Sequence, residues 1–136
     1  MMTICLWVPE GKALEVAQYY CGIFKPCQLL SQSEWVCQFD LNGQRFMALQ
    51  GGDQFKPNEA VSVMMTCKDQ AEIDHYWNAL VADGGQEQAC GWLKDKYGFS
   101  WQIVPYNLNQ LMQSPEAITR FMGMKKIQIS ELINDN

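Results

Sequence analysis

The chain repeats itself, and the repeat limits what it can fold into more than any other feature. Residues 3–8 form a short apolar strand, and residues 11–24 then place apolar side chains at 13, 14, 16, 17, 20, 23 and 24, which is helical periodicity. The same order returns at 61–67 and 69–81, with Asp69 as a candidate N-cap. The two helices match by letter: Glu15-Val16, Tyr19-Tyr20 and Ile23 correspond, 57 positions later, to Glu72-Ile73, Tyr76-Trp77 and Leu80. Their second halves match too, because Asn42-Gly43, Phe46 and Leu49 parallel Tyr97-Gly98, Trp101 and Val104 at an offset of 55.

Each unit therefore reads as strand, helix and three strands. In the first, 28–31 is a short strand, 35–41 alternates as a strand does, Asn42-Gly43 is the favoured two-residue hairpin turn, and 44–50 returns from it. In the second, CGWLKDKYGFSWQIVP at 90–105 reads as a hairpin. Phe99, Trp101, Ile103 and Val104 give the return strand, Pro105 ends it, and Asp95-Lys96-Tyr97-Gly98 suits a type I turn. The boundaries expected are a single domain over 1–105, built of module one at 1–52, a linker at 53–58 marked by Gly51-Gly52 and Pro57, and module two at 59–105. Residues 106–136 form an added tail with helical pattern at 108–112 and 116–124.

Composition removes several classes of function. A chain of 136 residues with net charge −5 and a pI near 4.7 has no basic footprint for nucleic acid or anionic lipid. No run approaches the ~20 apolar residues of a bilayer span, so neither nucleic acid nor membrane is expected as a partner. Cysteines stand at 5, 21, 27, 37, 67 and 90 without a C-x-x-C pair or a histidine-rich partner, which is not zinc-site spacing. They are expected as buried free thiols in a cytoplasmic protein.

The tandem βαβββ repeat resembles the vicinal-oxygen-chelate superfamily, the glyoxalase and bleomycin-resistance fold. FMALQGG at 46–52, NEAVS at 58–62, CGWLKDKYGFSWQIVP at 90–105 and MKKIQISEL at 124–132 are similar to its PhnB-like branch, whose members often bear a 3-demethylubiquinone methyltransferase label. The resemblance implies an α+β fold in which two tandem βαβββ modules form one cupped mixed sheet, here with a C-terminal helical tail. It also implies a homodimer, for which Phe121, Met122, Met124 and Ile127 of the tail are available.

Metal-using members of the superfamily place ligands on the first and last strand of each module, which transfers to Thr3, Met47, Ser62 and Gln102. Two hydroxyls, a thioether and a neutral amide are a weak donor set for a divalent ion, so no metal and no cofactor are expected. Strand alternation then puts Cys5 and Trp7 on the face of Thr3, Arg45 and Leu49 with Met47, Met64 and Thr66 with Ser62, and Ser100 and Val104 with Gln102. Trp101 and Ile103 face the helices.

Other candidates read as structural. His75 lies mid-helix on the outside, Cys90 has no base beside it, and Lys94, Asp95 and Lys96 read as a solvated turn. Trp92 reads either as core or as a ring for stacking on a flat ligand. Gly51-Gly52 leads into no helix, unlike the glycine turn that holds a methyl donor. The expected function is binding of a small organic ligand by Thr3, Cys5, Trp7, Arg45, Met47, Ser62, Met64, Trp92, Ser100 and Gln102. The alternative is a metal-independent enzyme of isomerase, lyase or dioxygenase-like ancestry.

Overall fold

The computed structural model describes residues 1–133. Its backbone divides into two compact units, residues 1–57 and 58–136, the last three of which lie outside the described residues. Both units are α+β and carry a four-stranded mixed sheet of the same order.

In the first unit, strand β1 (Ile4–Val8) leads into helix α1 (Ala13–Ile23) and then β2 (Cys27–Gln32), β3 (Val36–Leu41) and β4 (Gln44–Gln50). The order across the sheet is β1-β4-β3-β2, with β1 parallel to β4 and the other pairs antiparallel. Asn42 and Gly43 both have positive φ, 53° and 90°, the conformation a two-residue hairpin needs. Alternation in β3 and β4 buries Cys37, Phe39, Leu41, Phe46 and Ala48 on one face. The stacking of Tyr20 over Phe39, with 6.2 Å between centroids, places α1 on that face.

The second unit repeats the pattern with β5 (Ser62–Cys67), α2 (Gln70–Val81), β6 (Gln86–Glu87), β7 (Trp92–Lys94) and β8 (Ser100–Pro105), in the order β5-β8-β7-β6. Asp69 caps α2 by accepting from the Glu72 N–H at 2.9 Å, and Glu72 reaches back to the Lys68 N–H at 3.2 Å. Trp77, Leu80, Leu93, Trp101 and Ile103 form the core beneath α2, as the alternation of β8 requires.

The tail is built into this second unit. It holds three helices, α3 (Leu108–Leu111), α4 (Pro115–Met122) and α5 (Ile129–Leu132), with Ser114 capping α4 from its side chain. Met124, Ile127 and Leu132 bury Val104, and the Cys90 and Gly91 N–H groups donate to the carbonyls of Met124 and Lys125 at 2.8 and 2.9 Å. Met124 and Ile127, expected to be available to a partner subunit, are therefore spent inside their own unit. Gln70 of α2 locks the arrangement, donating to Ile127 O at 2.9 Å and accepting from Ile129 N at 2.8 Å.

The cysteines depart from expectation. Cys21 at the end of α1 and Cys27 at the start of β2 are joined as a disulfide, because the turn between these elements brings their Cα atoms to 5.2 Å. Cys37 and Cys67 are buried thiols, whereas Cys5 is exposed and Cys90 half-buried. Among the described residues no helix is long and apolar enough to cross a membrane.

Candidate functional site

Each sheet has one face on its helix and one turned away, and by the strand alternation the expected ligand residues other than Thr3 fall on the faces turned away. In the second unit the cross-strand register aligns Lys94, Ser100 and Ser62 in one row and Trp92, Gln102 and Met64 in the next. Gln102 Nε2 donates to Ser62 Oγ at 2.9 Å. Ser100 is 3% exposed, and its Oγ is buried with no hydrogen-bond partner among the described residues. Lys94 Nζ pairs with Glu59 at 3.2 Å, and Gln88 donates to the same carboxylate at 3.3 Å. The Lys94 hydrogen bond and then Glu59's own backbone N–H hold that carboxyl below its usual range. Trp92 is half-buried beside Gln102, with its ring on this face.

Val104 does not join the row. It follows Gln102 by two residues and shares its side of the strand, but the tail covers it. The usable face in this unit is therefore shorter than strand alternation implies.

In the first unit Cys5 pairs with Met47 and Trp7 with Leu49 in the parallel register. Thr3 precedes β1 and is exposed, so the expected strand is one residue shorter at its start. Desolvation raises the Cys5 thiol above its ordinary pKa, which makes it a poor nucleophile at neutral pH. The Trp7 indole is pinned: Nε1 donates to Gly52 O at 3.0 Å, and Phe55 meets the ring edge-on at 4.9 Å. A Cβ on Gly51 would lie 2.1 Å from Trp7 Cε2, so only glycine fits beneath the ring. Gly51-Gly52 is thus the seat of Trp7, and the chain continues from it without a helix.

Three features escaped the reading of the sequence. Asp95, read as part of a solvated turn, is 2% exposed. Its carboxylate accepts from Tyr97 N at 2.9 Å, Phe99 N at 3.1 Å and Trp101 Nε1 at 2.9 Å. A short polar residue opening a four-residue turn often bonds forward in this way, and that signal was present. The Lys94–Glu59 pair and the double bond of Gln70 to the tail join residues distant in sequence and had no local signal.

The identical strand order of the two units, with the first strand of each parallel to its last, is the observation that decides the fold, and the sequence profile agrees with it. Residues 1–104 match the 3-demethylubiquinone-9 3-methyltransferase family. The chain belongs to that family. A search of curated proteins finds no match. Among solved structures, a PhnB protein from Bacillus cereus is 29% identical, with 76% of this chain and 98% of that one covered and a TM-score of 0.69. A glyoxalase-related enzyme from Fulvimarina pelagi is 18% identical over 76% of this chain and 85% of its own, with a TM-score of 0.56. A fosfomycin resistance protein from Listeria monocytogenes, solved with Mn(II) and sulfate, is 13% identical over 81% and 92%, with a TM-score of 0.62. The last two share the fold of the PhnB-like chain.

The four residues that the resemblance put forward as counterparts of metal ligands do not fit a divalent ion. Ser62 and Gln102 are neutral and already bonded to each other, Thr3 lies outside its strand, and Met47 offers only a thioether. Among the described residues no group of three or more His, Cys, Asp or Glu side chains could hold a metal.

Proposed function

We propose that this PhnB-like protein binds a small organic ligand on the sheet faces turned away from its helices, through hydrogen bonds and ring contacts in place of a metal. The observation that carries the reading is the buried, unpartnered hydroxyl of Ser100 between Ser62 and Lys94. A buried hydroxyl without a partner costs free energy that a ligand carbonyl or hydroxyl recovers. Ser62 retains its own hydroxyl hydrogen, Gln102 fixes that group in place, and Trp92 offers a ring for a flat ligand. Met64 supplies a further apolar contact on this sheet, and Thr3, Cys5, Trp7, Arg45 and Met47 are the corresponding candidates on the first unit's own sheet.

A metal-independent enzyme is the weaker reading. Glu59, the acid paired with Lys94 of this face, is held below the ordinary carboxylate range by that partner and is a poor base at neutral pH. The family's methyltransferase description is not carried to this chain, since its glycine pair seats an indole. The proposal includes residues 1–105 as the ligand-binding domain with 106–136 as its tail, a homodimer, and a cytoplasmic location.

The test is a backbone-amide NMR screen of planar amides, phenols and acids. Shifts concentrated at Ser62, Trp92, Ser100 and Gln102 are expected. Binders that move only residues elsewhere, or no binder at all, would overturn the reading.

A further inference from the structure

The turn that leads into β7 is held from outside its own segment. Residues 89–92 join β6 to β7 tightly: the Trp92 N–H donates to Ala89 O at 3.1 Å, and the Gln88 N–H to Trp92 O at 2.9 Å. The two residues at the tip, Cys90 and Gly91, have φ of 61° and 82°. The first unit's hairpin has nearly the same pair, Asn42 and Gly43 at 53° and 90°. Asparagine tolerates that conformation and here bonds its side chain to Lys25 O at 3.0 Å, whereas cysteine is not among the residues that visit it readily.

What holds Cys90 there is the tail. The Cys90 and Gly91 N–H groups, left over by the turn, are taken by Met124 O and Lys125 O at 2.8 and 2.9 Å. Ile127 lies so close to the tip that a Cβ on Gly91 would stand 2.8 Å from its Cδ1. Strained backbone persists only where its surroundings fix it. The next residue is Trp92, which the register sets beside Gln102 on the face turned away from α2. The same stretch of tail bounds that face a second time, because Met124 and Ile127 cover Val104, two residues past Gln102.

We propose that residues 124–127 of the tail are a positioning device for the ligand face: docked, they fix the Cys90-Gly91 turn and with it the Trp92 ring, and undocked, they release both. Ligand binding and tail docking then stabilise each other, since coupling between two sites is reciprocal. The ligand half of the inference rests on the ligand-binding reading, and the Trp92 half stands without it.

The experiment labels the full chain with 5-fluorotryptophan and follows its five tryptophan lines by fluorine NMR, with Trp92→Phe assigning the line of interest. Ile127→Asp, which sets a charge in a buried apolar cluster, is expected to undock the tail and move the Trp92 line while the other four stay dispersed. Should that variant not fold, Gln70→Ala removes both hydrogen bonds from α2 to Ile127 O and Ile129 N and should shift the same line in the same direction. Loss of amide protection at Cys90 and Gly91 without movement of the Trp92 line would overturn the positioning role, and so would retained protection in the variant. For the ligand half the probe is 2-naphthamide. Its affinity is expected to fall about fivefold or more on undocking, the lower end of coupling between two sites, and at saturation it should raise the protection of both amides in the wild type. Equal affinity with the tail docked and undocked would overturn the coupling. No binding of 2-naphthamide to the wild type would count against the ligand-binding reading and leave the Trp92 line to decide the tail's role.

Discussion

Gln102 Nε2 donates to Ser62 Oγ at 2.9 Å, from the last strand of the second unit to its first. The family resemblance puts these two residues forward as counterparts of metal ligands. Here they bond to each other, a polar link between parallel strands. Both side chains are only half-buried, so the link contributes modestly to stability. In a double-mutant cycle with Ser62→Ala and Gln102→Met, followed by urea denaturation, the coupling should be about 1 kcal/mol. A coupling near zero would mean the bond contributes nothing.

Asp95 has a larger role. It is 2% exposed and accepts three hydrogen bonds that define the turn of the 90–105 hairpin and fix Trp101. Asp95→Ala removes the acceptor of three hydrogen bonds and should destabilise the protein by about 3 kcal/mol or more. Asp95→Asn keeps an acceptor for the turn but faces Trp101 Nε1 with an amide donor, so it should fall between the two. Equal stability of all three would show the turn to be held by other contacts.

Gly51→Ala should be costly out of proportion to one methyl group. The added Cβ lies 2.1 Å from the Trp7 ring, so the indole must leave Gly52 and Phe55. A loss of about 1 to 3 kcal/mol is expected. Near-UV circular dichroism should change with it, while Gly22→Ala, inside α1 with open space at its Cβ, should leave Trp7 in place.

Docking of the tail should depend on pH. Asp74 is held below its ordinary pKa, first by the Gln70 hydrogen bond and then by Lys126, whose Nζ lies 3.0 Å away. A carboxylate with a lowered folded-state pKa contributes stability above the unfolded value of about 4, and this is lost as pH falls through the folded value. The protection factors for amide exchange at Cys90 and Gly91, which bond to tail carbonyls, should therefore fall in acid once the intrinsic exchange rate is divided out, and Asp74→Asn should remove that dependence. Ile127→Ala should weaken docking at every pH, by about 2 to 4 kcal/mol.

The architecture was legible because two signals recur in the chain. Helical periodicity at Val16, Tyr20 and Ile23, repeated at Ile73, Trp77 and Leu80, and the turn pair Asn42-Gly43 are local, and local rules read them. Strand alternation also placed Ser100 with Gln102 and Trp101 against α2. It failed at Val104, which obeys the same alternation but lies beneath a tail whose path no local rule supplies. Asp95 was misread because charge suggests solvent, and only the position of the Trp101 N–H shows that its carboxylate is enclosed. Cys21 and Cys27 became partners through the turn joining α1 to β2, a geometry that six-residue spacing alone does not reveal.

Metal content tests the account most directly, because its central claim is that hydrogen bonds occupy positions that could otherwise ligate an ion. Purified protein should contain far less than one equivalent of nickel, zinc, manganese or iron, and none of these should raise its melting temperature under reducing conditions. One tightly held equivalent, or stabilisation by several degrees that Gln102→Ala removes, would contradict the reading of Thr3, Met47, Ser62 and Gln102 as a ligand-facing, metal-free set.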